Sequence, residues 1–384
     1  MPGTPILDLE KDPPQPSAKW KLQLIGLALG SAIGFGITKL PIDPVTALLC
    51  LPAFYLAVAI HEIGHLIAGK LAGMDPGGLI VGGFAMIKSG ERWVFRFDYR
   101  NIMCGGLAKP LPPNGEFSRS KFAWMVAGGP LASLLFAAAM GAARLRYGSG
   151  PLAWRGSLFW TAVFITIISL VPGSGGVNKT DGARLWMLLR HPARALSWVA
   201  MLMIQTEETN GVRPRDWNPK LVKQMLETSP SEGQYLYSEW LAFYRSSDED
   251  DEVAALEHLE NALARSKRGS TMLRHCWFLE AAQASALARG NAAHARVWLE
   301  RASKLRRPLS IASVEASIAI CEKRYDDALV HLAAARDFLI RQKLDSGLIR
   351  FAKEKLDEYK HQCVMARDQV IASVASIHEV APPA

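Results

Sequence analysis

Three side chains in one apolar stretch have the types and spacing to do hydrolytic chemistry: His61, Glu62 and His65, within Ile60-His61-Glu62-Ile63-Gly64-His65-Leu66. On a helix, His61 and His65 stand one turn apart and point the same way. Two imidazoles so placed can fill two corners of a zinc tetrahedron. The intervening Glu62 can then serve as general base toward a water that the metal activates. A catalytic zinc takes three protein ligands and leaves one position open. Asp181 is the best third ligand: a carboxylate that follows the last long apolar run and precedes Gly182. Asp-Gly is also an ordinary turn sequence, so Asp181 is read as a ligand only together with the histidine pair.

The elements that must position these residues are apolar and long. The histidine pair occupies the second half of a run over 45–71. A charged side chain at a bilayer centre costs roughly 2.5–3.5 kcal/mol, so a glutamate there calls for a partner. A soluble core helix with two satisfied histidines and a glutamate at its rim is the simpler alternative. Further apolar runs fall at 22–40, 122–143 and 154–172, and the spacing predicts helices there. A fifth stretch, 185–204, is interrupted by Arg190-His191-Pro192 and Arg194 and reads as an interfacial helix. Between the second and third runs, Leu79-Ile80-Val81, Phe84 to Ile87 and Arg92 to Asp98 are β-prone, with a turn at Ser89-Gly90. They predict a β-hairpin over 79–98 whose Trp93, Phe95 and Phe97 share one greasy face. Such a hairpin could shield the site or accept substrate as an added strand. Gly105 to Gly115 reads as a Gly/Pro-rich loop.

The chain has 384 residues and a net charge of +8. Nucleic-acid binding is not expected, because much of the excess lies in short loops between apolar runs, where positive charge sets topology. Lys11, Lys19 and Lys21 precede the first run. Lys88, Arg92, Arg96, Arg100, Lys109, Arg119 and Lys121 follow the second, and Lys179, Arg184, Arg190 and Arg194 follow the fourth. The opposite side has Lys39, Arg144, Arg146 and Arg155. The N-terminus and everything after the fourth run are therefore expected in the cytoplasm, with the histidine pair and Asp181 toward that face. No signal peptide is read in the polar, Pro-rich segment 1–18, which is expected to be disordered. Cys50, Cys104, Cys276, Cys321 and Cys363 are scattered and indicate no disulfide framework or zinc ribbon.

From residue 206 to 384 the composition turns to charged and Ala-rich helical patterns. Ala254 to Ala262, His294 to Ala302 and Asp327 to Ala335 resemble one another at offsets near the tetratricopeptide period of about 34 residues. Gly290-Asn291 and Lys323-Arg324-Tyr325 fall where turns would be. A soluble stack of helical hairpins that recruits a protein partner is expected, an Ala-rich bundle being the alternative. The histidines of this region, among them His258, His275 and His294, lack metal-ligand spacing.

Four features together resemble the site-2 protease family of intramembrane zinc metalloproteases. These are His61-Glu62-Ile63-Gly64-His65 in an apolar helix, a β-prone hairpin after it, Gly129-Pro130-Leu131-Ala132-Ser133 in the next helix, and Pro172 followed by Asp181-Gly182. The resemblance spans residues 45–190. It implies a polytopic, mainly α membrane core with a β-hairpin insertion over residues 19–205, before the tetratricopeptide-like region. It implies Zn2+ on His61, His65 and Asp181, with Glu62 catalytic, and a membrane-protein substrate cut in or near a transmembrane segment. The setting would be a multi-pass protein of a bacterial inner membrane. Ser133 and Ser169 stand where the family often has Asn; with Asn178 they are candidate substrate-binding residues. A membrane scaffold of the same fold is the main alternative, and a metal-ion transporter a weaker one.

Overall fold

The computed structural model describes residues 44–97, 105–113, 118–148, 154–175, 178–227, 232–265, 271–303 and 311–379. The expected first helix over 22–40 and the N-terminal segment lie outside the described residues. The rest is mainly α-helical with a small antiparallel sheet. Residues 44–206 and 219–227 make one compact unit, and residues 207–218 and 232–379 a second.

The first unit begins with α1 (Pro44–Leu71), which carries the histidine pair. The sheet follows: β1 (Asp75–Val81), β2 (Phe84–Ser89), β3 (Arg92–Phe97) and β4 (Gly106–Leu111), in the order β3-β2-β1-β4. This is more than the hairpin expected over 79–98. The β-prone segments form a three-stranded meander, and part of the expected Gly/Pro loop becomes a fourth strand paired with β1. Pro110 stands opposite Pro76 in that pairing. It is tolerated because β4 is an edge strand with one side free of ladder bonds. Phe84 lies opposite Phe97, and Met86 opposite Phe95. Both pairs, with Trp93, share one face whose aromatic rings are exposed.

The helices α2 (Arg119–Tyr147) and α3 (Trp154–Leu170) come next. Leu51–Leu71 and Arg119–Tyr147 are each long and apolar enough to cross a membrane, and Trp154–Leu170 is a shorter apolar helix. Where α1 meets α2, Gly64 faces Gly128. A Cβ on either would overlap the other's carbonyl, so only glycine permits this approach of the two backbones. A two-rung ladder between β5 (Ser174–Gly175) and β6 (Asn178–Lys179) closes the loop after Pro172. The expected single interfacial helix over 185–204 is instead two, α4 (Asp181–Arg190) and α5 (Pro192–Thr209). The break falls at His191-Pro192, because proline cannot donate to the preceding turn. A core of Phe122, Met125, Val126, Leu188, Val199 and Met203 joins α2, α4 and α5. The short helix α6 (Pro219–Glu227) belongs here as well: Leu221 packs on that core, and Ser197 Oγ donates to the Met225 carbonyl at 3.0 Å.

The second unit is a stack of helical hairpins: α7 (Glu232–Asp248) with α8 (Glu252–Arg265), α9 (Thr271–Leu287) with α10 (Ala292–Ser303), and α11 (Ala312–Cys321) with α12 (Tyr325–Arg341). The long α13 (Gly347–Glu379) follows. The three similar segments are the second helices of the three hairpins. Each hairpin turns at a left-handed residue, Asp250, Gly290 or Lys323. Each then begins its second helix with the same backbone bond: Ala255 to Asp251, Ala295 to Asn291 and Ala328 to Arg324. Those alanines are buried, as are Ala262, Ala302 and Ala335 seven residues on. Small side chains at this spacing let paired helices approach closely. Arg213 ties residues 207–218 into this unit by ion pairs to Asp248 and Glu354.

Candidate metal centre

His61, His65 and Asp181 converge in the first unit. Asp181 Oδ2 lies 3.0 Å from His61 Nε2 and 3.4 Å from His65 Nε2. Their side chains could together hold a metal ion. The residues are buried, with relative exposures of 6%, 5% and 6%. Donor atoms about 3.3 Å apart are what a tetrahedron with ~2.0 Å bonds requires.

Two elements aim the three side chains, α1 the histidines and α4 the aspartate. The two rings leave one face of α1 a turn apart, 4.9 Å between centroids and nearly perpendicular. His65 Nδ1 is 2.9 Å from the Met125 carbonyl. A carbonyl can only accept, so a metal-bound His65 would keep its proton on Nδ1, toward Met125, and present the Nε2 lone pair to the ion; without an ion, Nε2 faces the Asp181 carboxylate as a donor. The helical partner of that carbonyl, the Gly129 N–H, lies 3.3 Å from the same His65 Nδ1, and Pro130 leaves the neighbouring Val126 carbonyl without its helical donor. His61 Nδ1 lies 2.9 Å from Ser133 Oγ, and this contact fixes the second ring. Ser133 thus sits behind His61, placed to orient that ring. Ser133→Ala is expected to weaken metal binding by about 10- to 100-fold, the usual cost of an outer-shell partner. Competition against a chelating dye measures it, with unchanged helical circular dichroism as the control.

Asp181 arrives from the far side of the centre. The Asp-Gly pair is not a turn but the first turn of α4, where a carboxylate is favoured by the helix dipole. Thr180 caps that helix: its Oγ1 accepts from the Ala183 N–H at 3.3 Å and donates to the Val171 carbonyl at 2.7 Å. The latter bond ties the start of α4 to the end of α3. A Cβ on Gly182 would overlap the Leu170 carbonyl, so glycine is needed for α4 to start there. Burial alone would raise the Asp181 carboxyl. The hydrogen bonds from His61 and His65, with Arg184 3.5 Å away, outweigh it and hold the group well below the usual carboxylate range. Asp181 is therefore an anion, as a ligand must be.

The space beside the nitrogens fits an ion. A Cβ on Gly129 would overlap Nε2 of both histidines, so α2 contributes bare backbone where a side chain would fill the centre. Glu62 is half-buried beside the ligands and lies under β4. A Cβ on Gly106 would overlap its side chain, and the Ala108 backbone hydrogen-bonds it. Gly106, Ala108, Met125 and Arg184 were given no role at the site by the sequence, and Gly129 was marked only as part of the Gly-Pro motif.

The other two candidates are Ser169 and Asn178. Ser169 Oγ donates within its own helix to the Thr166 carbonyl at 3.1 Å. Asn178 stands in β6, opposite Gly175. In the second unit, His275 Nδ1 bonds the Ala302 carbonyl at 2.9 Å and His258 bonds Glu239 at 2.7 Å, both packing roles. Compared with protein-family models, curated proteins and solved structures, the chain matches none.

Proposed function

We propose that this chain is an intramembrane zinc metalloprotease of the site-2 protease type, cutting a peptide bond in or near a transmembrane segment of another membrane protein. The observation that carries this reading is the convergence of His61, His65 and Asp181 from two distant parts of the sequence, with Glu62 beside them. A two-histidine, one-carboxylate donor set suits catalytic zinc. When bound, zinc supplies Lewis acidity that makes water a nucleophile at neutral pH. His61, His65 and Asp181 hold the ion, while Ser133 and the Met125 carbonyl keep the rings in place. Glu62 takes the proton of the attacking water and delivers it to the leaving amine.

In this reading the first unit is a multi-pass core in a bacterial inner membrane, with both termini cytoplasmic. The exposed Phe84, Phe95 and Phe97 rest at the membrane surface, where aromatic rings are favoured. Substrate unwinds and joins the sheet at β4, the edge strand that covers Glu62, and not at the hairpin edge three strands away. The hairpin stack recruits a partner. A scaffold would keep that stack but would have no use for three buried ligands around a space kept open by glycine.

Chelation is the direct test. Purified protein in detergent, given a single-span membrane-protein substrate, is expected to lose cleavage after treatment with a strong zinc chelator and to recover it on adding stoichiometric Zn2+. Cleavage that survives demonstrated removal of metal would exclude the proposal.

A further inference from the structure

The second unit carries a half-open cavity of about 700 Å³, within the roughly 300–1,000 Å³ typical of ligand sites. Its wall combines small aliphatic residues with a group of aromatic rings: Trp240 and Tyr244 of α7, Phe338 of α12, and Phe351 and Tyr359 of α13. Three acids also line it, Asp250, Glu252 and, among the rings, Glu280 of α9. Glu280 accepts a hydrogen bond from the Tyr244 hydroxyl. Lys355, the cation that lines the cavity, is already bonded to Asp250 at 2.8 Å and Glu358 at 3.2 Å. No cation among the described residues pairs with Glu280, and burial pushes its carboxyl up to about 7 despite the bond from Tyr244.

A carboxylate held inside aromatic walls is costly unless a counter-charge meets it. Aromatic faces themselves attract cations. The wall thus presents an acid and rings to the same space, and both recognise positive charge on an apolar carrier. We propose that this cavity binds an organic ammonium ion on an apolar body, with the ammonium against Glu280 and the body among Trp240, Tyr244, Phe351 and Tyr359. A free amine and a lysine side chain of a bound peptide carry the same chemistry. The proposal stands apart from the proteolytic reading and uses none of its residues.

The test titrates the full-length protein in detergent with 4-phenylbutylammonium, the matched alcohol 4-phenylbutanol, the anion 4-phenylbutyrate and acetyl-phenylalanyl-lysine amide. Binding is read by calorimetry and by the fluorescence of the cavity tryptophan. The ammonium is expected to bind at least about tenfold tighter than the alcohol, as a charge-assisted hydrogen bond allows, and the anion not at all. Glu280→Gln keeps the volume and the bond to Tyr244; it should cost the ammonium about tenfold or more and leave the alcohol unchanged. Ala284→Phe, which fills the cavity, should abolish binding of both. A dipeptide tighter than the amine would identify a lysine side chain as the source, and the reverse a free amine. Equal affinity for ammonium and alcohol, an unaffected Glu280→Gln protein, or no binding by any probe would overturn the proposal.

Discussion

Replacing Glu62 by glutamine is expected to leave the metal bound and to lower peptide-bond hydrolysis by about 10²- to 10⁴-fold, the share usual for a positioned general base. The change is close to isosteric, so the cover that β4 lays over this side chain stays in place. Glutamine still hydrogen-bonds but cannot take a proton. Metal content and cleavage of a single-span substrate, measured on the same preparation, check the two halves separately. Loss of both would mean that Glu62 supports the fold of the centre. Loss of neither would remove it from the chemistry.

Gly129→Ala is the second large effect. In an exposed helix interior, Gly→Ala gains about 1 kcal/mol. Here the added methyl would enter the space shared by both ligand nitrogens. Overlap with two buried rings outweighs that gain, so stability is expected to fall by about 1–3 kcal/mol, while metal affinity falls by more than the roughly 10- to 100-fold of an outer-shell change. Thermal unfolding and metal titration together separate the two contributions. A Gly129→Ala protein that binds metal normally would mean that the ion does not sit beside the Nε2 atoms.

What could be read from the sequence follows from how local each signal is. His61 and His65 are four residues apart, so helical geometry alone aligns them. Asp181 is 120 residues from His61, and only its residue type and the apolar run before it suggested convergence. The three hairpin repeats were legible because their buried alanines and turns recur locally. Strand β4 was not legible: Gly106, Ala108 and Pro110 carry no β-propensity and no alternation. It forms because β1 offers it an edge and Glu62 lies beneath it. The break between α4 and α5 was present in His191-Pro192, yet the apolar stretch around it concealed the boundary. Ser133 was singled out as a polar residue near the chemistry, but its bond to His61 was not legible, since sequence does not say what a side chain faces.

The central claim is that two imidazoles and one far carboxylate hold a single divalent ion. Elemental analysis of the purified full-length protein, wild type against Asp181→Ala, tests it most directly. The account predicts one zinc per wild-type chain and at least a tenfold drop in the variant, about the lower bound for losing even an outer-shell partner, with the helical content unchanged. Equal metal in both proteins, or none in a wild-type protein that still cleaves, would contradict it.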